Sequence, residues 1–313
     1  MVAFLIRRCL ATIPVMAVVA VFVFSLLYFA PGDPVALIAG DQASQAQIDA
    51  IRERLGLDQP YFVRLLTWLG QIVRLDLGQS IISGLPVTTL IAERLAPTIS
   101  LMVIAIPLSV LIAVPMGIVA AWRAGTWIDR AVMVVAILGF SVPVFVVAYG
   151  LSWGIGLKLG WLPVQGYQPL SNGLWPWLSH LILPSVTVGS VYIALIARTT
   201  RAAMLDVLKQ DYIRTAQAKG LGLNAVLFVH ALKNAGIPIM TVVGIGVALL
   251  LGGAVVVESI FSLPGLGRLT IDAILKRDYP VIQGVVLLFS FAYVFVNLLV
   301  DLAYTLIDPR IRY

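Results

Sequence analysis

Gly150-Leu151-Ser152-Trp153-Gly154 is a stretch of this 313-residue chain that spells a nucleophile motif, and His180 could supply the base. The G-x-S-x-G elbow works only where a sharp strand-to-helix turn exposes the serine. Here the motif falls inside or at the end of an apolar helical stretch, where glycine and serine commonly serve close helix packing. An intramembrane serine protease is therefore the rival enzymatic reading, not the main one. Metal chemistry finds little material: His180 and His230 are the two histidines, Cys9 is the single cysteine, and no H-E-x-x-H occurs. Nucleotide chemistry finds none, because no G-x-x-x-x-G-K-[ST] loop is present to cradle phosphates. No catalytic residue, metal or cofactor is expected of this chain itself.

The elements that must position any site are membrane helices. Hydrophobic residues make up 60% of the chain and charged ones 12%, with a mean hydropathy of +1.01. A soluble domain carries roughly twice that share of charge. Six apolar stretches are long enough to span a bilayer: Cys9–Ala30, Leu95–Trp122, Ala131–Leu157, Leu178–Ala197, Asn234–Val257 and Val281–Val300. The first is too long for a signal peptide and has no Ala-x-Ala site after it, so it reads as a retained span. Pro14, Pro107, Pro115, Pro143, Pro184 and Pro238 fall inside these stretches, where neighbouring helices can re-satisfy the freed carbonyls. A secondary transporter would show inverted repeats and acids suited to proton coupling, and neither is evident.

The net charge of +6 reflects loop bias, not a nucleic-acid partner. With the N-terminus inside, the inner segments collect Arg7, Arg8, Arg123, Arg130, Arg198, Arg201, Lys209, Arg214, Lys219, Lys233, Arg310 and Arg312. The short outer loops hold Lys158, Arg268, Lys276 and Arg277, so both termini are expected in the cytoplasm. The chain thus divides into a first segment and span (1–30), an outer loop region with short helices (31–94), and a five-span core (95–313). In the outer region, Ser44-x-x-Gln47 reads as a capping box for a helix stopping at Gly56. A second helix, opened by Pro60, is expected to lie against the outer membrane face.

The inner loop, 198–233, has its own architecture. Asp211 can cap a helix from Tyr212 to Lys219, and Gly220 can end it. Asn224 can cap the next helix, so the Gly220-Leu221-Gly222 break makes an L-shaped projection. Ala216, Lys219 and Gly220 fall on one face at i, i+3 and i+4, small enough for a partner's backbone to approach, with Arg214 and Lys219 offering charge. Elsewhere, Glu258 is expected to cap or anchor the outer end of its span. Asn297 and Asp301, one turn apart, are an intramembrane polar pair expected to satisfy a neighbouring helix or a cytoplasmic arginine such as Arg8.

The run from Asp211 to Leu221 (DYIRTAQAKGL), followed by His230-Ala231-Leu232-Lys233-Asn234-Ala235 and Ile237-Pro238, resembles the EAA loop of ABC importer permeases. More narrowly, it resembles the dipeptide/oligopeptide/nickel permease branch. Pro31-Gly32-Asp33-Pro34, Leu55 to Pro60, Val257 to Arg268, Asp278-Tyr279-Pro280, Asn297 to Asp301 and Asp308-Pro309-Arg310 agree along the whole chain. Arg214 stands where the general EAA pattern has a glutamate. The resemblance implies an all-α type I ABC importer transmembrane domain of six helices in the bacterial inner membrane. It implies a second homologous permease subunit, two ATP-binding subunits that use ATP and Mg, and a periplasmic solute-binding protein. It places Arg214, Ala216, Lys219, Gly220 and Leu221 on the ATPase-docking element, and Glu258, Phe261, Pro264 and Gly265 on a periplasmic gate loop. Dipeptides, oligopeptides, glutathione, opines and nickel chelates all remain open as the solute.

Overall fold

A computed structural model describes residues 2–29, 44–54 and 58–307, and all of their regular elements are helical apart from one isolated antiparallel bridge between Gln79 and Pro86. Pro31 to Pro34, Leu55 to Leu57 and Asp308 to Arg310, which contribute to the family resemblance, lie outside the described residues. The helices are α1 (Val2–Tyr28), α2 (Gln45–Arg54), α3 (Tyr61–Val73), α4 (Val87–Trp122), α5 (Trp127–Ser141), α6 (Val144–Leu151), α7 (Leu174–Leu208), α8 (Asp211–Ala218), α9 (Leu232–Ile260), α10 (Leu266–Leu275) and α11 (Tyr279–Ile307). π-helical turns at Ser152–Lys158 and Ala225–Ala231 follow α6 and precede α9. Among the described residues, four helices are long and apolar enough to cross a membrane, or five if the bent α5–α6 pair is one span.

The stretch Ala131–Leu157, expected as one span, falls in that pair and is broken at Val142 and Pro143. The chain turns through 103° between α5 and α6. Pro143 has no N–H to continue α5, and its ring pushes Val142 into the extended region, at ψ 123°. Pro143 then opens α6, with Val146 N–H donating to its carbonyl at 2.9 Å. The same residue type stays inside α1, α4, α7 and α9 at Pro14, Pro107, Pro115, Pro184 and Pro238.

Two compact units emerge, Met1–Ala96 with Arg268–Val294, and Pro97–Gly267 with Phe295–Tyr313. In the first, α3 lays Leu65 and Trp68 on Ala20 and Phe24 of α1, and Tyr61 and Ser25 hydroxyls meet at 2.6 Å. Its other side exposes Phe62 (73%) and Leu66 (69%). An apolar second face of this kind suits a helix lying in a membrane interface. Pro60 stands one position before the helix, as its cap, not at the first helical position expected.

In the second unit α7 is the central helix. Leu181, Leu183, Val188, Tyr192 and Ile196 are enclosed in the main apolar cluster. Small residues let its neighbours come close: a Cβ on Gly117 of α4 would stand 2.7 Å from the Ala197 carbonyl, and one on Gly139 of α5 would stand 3.1 Å from that of Ser190. The Tyr192 ring lies against Gly246 of α9, and its hydroxyl donates to the Val243 carbonyl. Without a hydrophobic drive in lipid, such close packing and hydrogen bonding hold membrane helices together.

Candidate functional site

The loop after α7 is ordered by its own backbone chemistry. α7 runs on to Leu208, so the loop's first eleven residues, Arg198 to Leu208, are a continuous helical stem. α8 begins at Asp211 itself. Asp211 is in the first turn and makes no cap, which corrects its expected role; Gln210 is the N-cap residue and makes no side-chain cap bond. Lys219 is the C-cap residue, and Gly220, at φ +81°, supplies the left-handed turn. The Gly220 N–H donates to Gln217 O at 2.9 Å, and the Leu221 N–H to Ala216 O at 3.3 Å. These two bonds are a Schellman motif, which satisfies carbonyls the helix end would otherwise leave open. The following helix starts at Leu223, with the Val226 N–H bonded to Gly222 O at 3.1 Å, so Asn224 sits inside the first turn and is not its start signal.

The face of α8 differs from the expected one. Ile213 and Ala216 are both buried, and Ile213 joins Met204 of α7 and Val226, Leu227 and Ala231 of the π-helical turn. The helix is therefore anchored from behind, and Ala216 is not presented beside Lys219 and Gly220. The exposed side carries Tyr212, Leu221 and Leu223, each more than two-fifths exposed, next to Arg214 and Lys219. Sequence reasoning missed Tyr212 and Leu223; Ile213 and Ala216, three residues apart, were the signal that another face was inward. Ala216→Trp is accordingly expected to overfill this core. Overpacking costs about 1–3 kcal/mol, so the variant subunit accumulates less and unfolds at lower temperature in detergent.

The loop after α9 is a second Schellman turn, with Ser262 in the left-handed region at φ +53°. Phe261 is the C-cap residue; the Leu263 N–H donates to Glu258 O at 2.8 Å and the Ser262 N–H to Ser259 O at 3.4 Å. Glu258 is fully buried, as an anchor and not a cap. Thr98 Oγ1 donates to its Oε1 at 2.6 Å and itself accepts from the Leu266 N–H at 2.8 Å. Gly265 lies against the Glu258 carboxylate with no room for a Cβ. Phe261 is buried, its carbonyl accepting from the Gly166 N–H at 2.9 Å, and Pro264 is half-buried. Glu258 and Gly265 are thus packed together with Thr98 and Leu266, whereas Phe261 belongs to the main apolar cluster.

The remaining candidates stay apart. Asn297 and Asp301 are half-buried, one turn apart on α11, and the side chain of Arg8 lies outside the described residues. Ser152 is in a π-helical turn, and its Oγ is buried without a hydrogen-bond partner, while His180 Nδ1 lies 2.7 Å from the Pro176 carbonyl. Neither strand nor nucleophile–base contact exists there. Ser152→Ala is expected to leave uptake within about twofold of wild type, as an apolar replacement of an unpaired buried hydroxyl is close to neutral. Among the described residues no cluster of His, Cys, Asp or Glu could hold a metal ion.

Helices able to cross a membrane and closed on one another through glycine contacts describe a multi-pass membrane protein. Residues 113–313 match the family described as binding-protein-dependent transport system inner membrane component, and residues 1–102 its N-terminal counterpart. The chain belongs to this family and is an ABC transporter permease. It is 53% identical to a probable peptide ABC transporter permease protein of Sinorhizobium fredii over 99% of both chains. It is 41% identical to a dipeptide transport system permease protein of Alkalihalophilus pseudofirmus and 45% identical to a glutathione transport system permease protein of Pectobacterium atrosepticum, each over 100% of both chains.

Proposed function

We propose that this permease forms half of the translocation pathway of an importer for peptides or similarly sized solutes in the bacterial inner membrane. The other half is a second homologous permease. Two ATP-binding subunits using ATP and Mg dock on the loop 198–233, and a periplasmic solute-binding protein delivers the solute to the opposite face. The chain crosses the membrane six times with both termini in the cytoplasm, and the loop 258–280 faces the periplasm as a gate. The names of the relatives, for peptides, dipeptides and glutathione, support the solute class. One observation carries the docking role: α8 is anchored by Ile213 and closed by Gly220, yet the helix and the turn after it leave Tyr212, Leu221 and Leu223 bare beside two cations. A partner that buries such a patch gains its apolar area, about 25 cal/mol for each Å².

Two experiments test this reading. In a Cys9-free background, a cysteine at position 44 is expected to react with an impermeant thiol reagent in spheroplasts, and one at position 217 only after the membrane is opened. The opposite pattern inverts the topology. A cysteine at position 221 is expected to cross-link to an ATP-binding subunit in the assembled transporter, and its failure to do so from any of positions 212, 221 and 223 removes the docking site from α8.

A further inference from the structure

Asp129 and Arg201 form a bidentate ion pair in the second unit. Arg201 Nε donates to Asp129 Oδ1 at 2.5 Å and Nη2 donates to Oδ2 at 2.7 Å, a side-on fork that fixes both groups in one plane. Oδ2 also accepts the Gly125 N–H at 3.0 Å. The Asp129 side chain is 6% exposed and that of Arg201 28%. Asp129 is in the first turn of α5, where a carboxylate also complements the helix dipole. Through Gly125 it grips the short turn between α4 and α5, which Thr126 Oγ1 closes further by donating to the Arg123 carbonyl at 2.6 Å.

Position gives this pair its significance. Arg201 lies one turn before Met204 on the helical stem of α7, and Met204 shares one buried apolar cluster with Ile213 of α8. Ile118 and Ala121, near the end of α4, close the same apolar cluster. α8 therefore rests on α7 immediately below the point where α7 holds the start of α5. Farther along, α5 meets α7 through small residues, Gly139 against Ser190 and Ala194. Contacts of that kind allow sliding, whereas a bidentate ion pair gripping a backbone amide does not.

We propose that Asp129 and Arg201 are positioning residues of the transport cycle: their ion pair ties the start of α5 to the stem that carries α8, so that a displacement of α8 moves α5 with α7. This rests on the docking reading of α8. A bond serving stability alone would lower the amount of folded subunit without altering the work obtained from each ATP.

The test uses the complete transporter, both permeases with both ATP-binding subunits, reconstituted in lipid vesicles with the binding protein. Asp129→Asn and Arg201→Lys each keep the size of the side chain and break the fork. Asp129→Asn with Arg201→Gln removes both charges and strands neither, so one variant folds even where a single substitution does not. In each, solute taken up per ATP hydrolysed is expected to fall by roughly 5–150-fold, the range of coupling between linked sites, with the ATP-binding subunits still co-purifying. Wild-type uptake per ATP in all three overturns the proposal. Gly220→Val, run beside them, separates it from the docking reading. Coupling lost on breaking the pair but intact in Gly220→Val overturns docking by α8. Coupling intact without the pair but lost in Gly220→Val overturns the role of the pair alone.

Discussion

Gly220→Val is expected to lower uptake by the assembled transporter at least about tenfold, with the subunit inserted and accumulating as in wild type. Gly220 holds φ +81°, and nothing lies within 4 Å of where its Cβ would be. The substitution therefore meets no steric wall and acts through backbone strain. Forcing a β-branched residue into the left-handed region costs about 1–3 kcal/mol, and 1.4 kcal/mol is a factor of ten. The chain can relieve the strain by giving up the bonds from the Gly220 and Leu221 amides, which moves Lys219 and Leu221 off the exposed surface of α8. Asparagine tolerates the same backbone region, so Gly220→Asn is expected to transport within about threefold of wild type. Uptake assays on both variants decide the matter. Equal transport by valine and asparagine at this position would mean that the turn contributes nothing to docking.

Gly267→Ala is the second large effect, and it falls on folding, not on coupling. A Cβ on Gly267 would stand 2.5 Å from Cα of Val255 and 2.9 Å from its N. These are backbone atoms of α9, and no rotamer change removes them. The start of α10 would have to lift away, pulling the Leu266 N–H from Thr98 Oγ1. Overpacking costs about 1–3 kcal/mol, and leaving a buried donor unpaired adds about 1–3 kcal/mol. The expected result is a clear fall in both the detergent unfolding midpoint and the amount of subunit in the membrane. Thr98→Val should reproduce the second part alone, since it keeps the shape and deletes the hydroxyl that bridges Glu258 and Leu266. An unchanged midpoint for Gly267→Ala would show that Gly267 does not lie so close to the Val255 backbone.

Much of the architecture was legible from short windows of residues. The apolar stretches fall in helices because about twenty residues without charge leave the backbone few other ways to satisfy itself in lipid. Gly220 was legible as a turn because Lys219-Gly220 after a polar helix matches the chemistry of a helix end. Asp211 and Asn224 were misjudged as caps because residue type alone does not separate a cap from a first-turn position, where an acid such as Asp211 also complements the helix dipole. Only the observed hydrogen bonds distinguish the two placements.

Hydropathy, loop charge and the pattern from Asp211 to Leu221 mark the class of protein, because they are local properties, readable without contacts. Tertiary structure alone decided three matters. It decided that Pro143 turns the chain through 103° while Pro107 and Pro115 stay within one helix, because the cost of a proline depends on what surrounds its freed carbonyls. It decided that Ala216 is buried along with Ile213, because a helix face is inner or outer only relative to a neighbour. And it decided that Glu258 is a buried anchor, because the threonine that holds it lies 160 residues away in the chain. No local propensity encodes a separation of that length; the energy that selects it exists only once α4 and α9 are packed together.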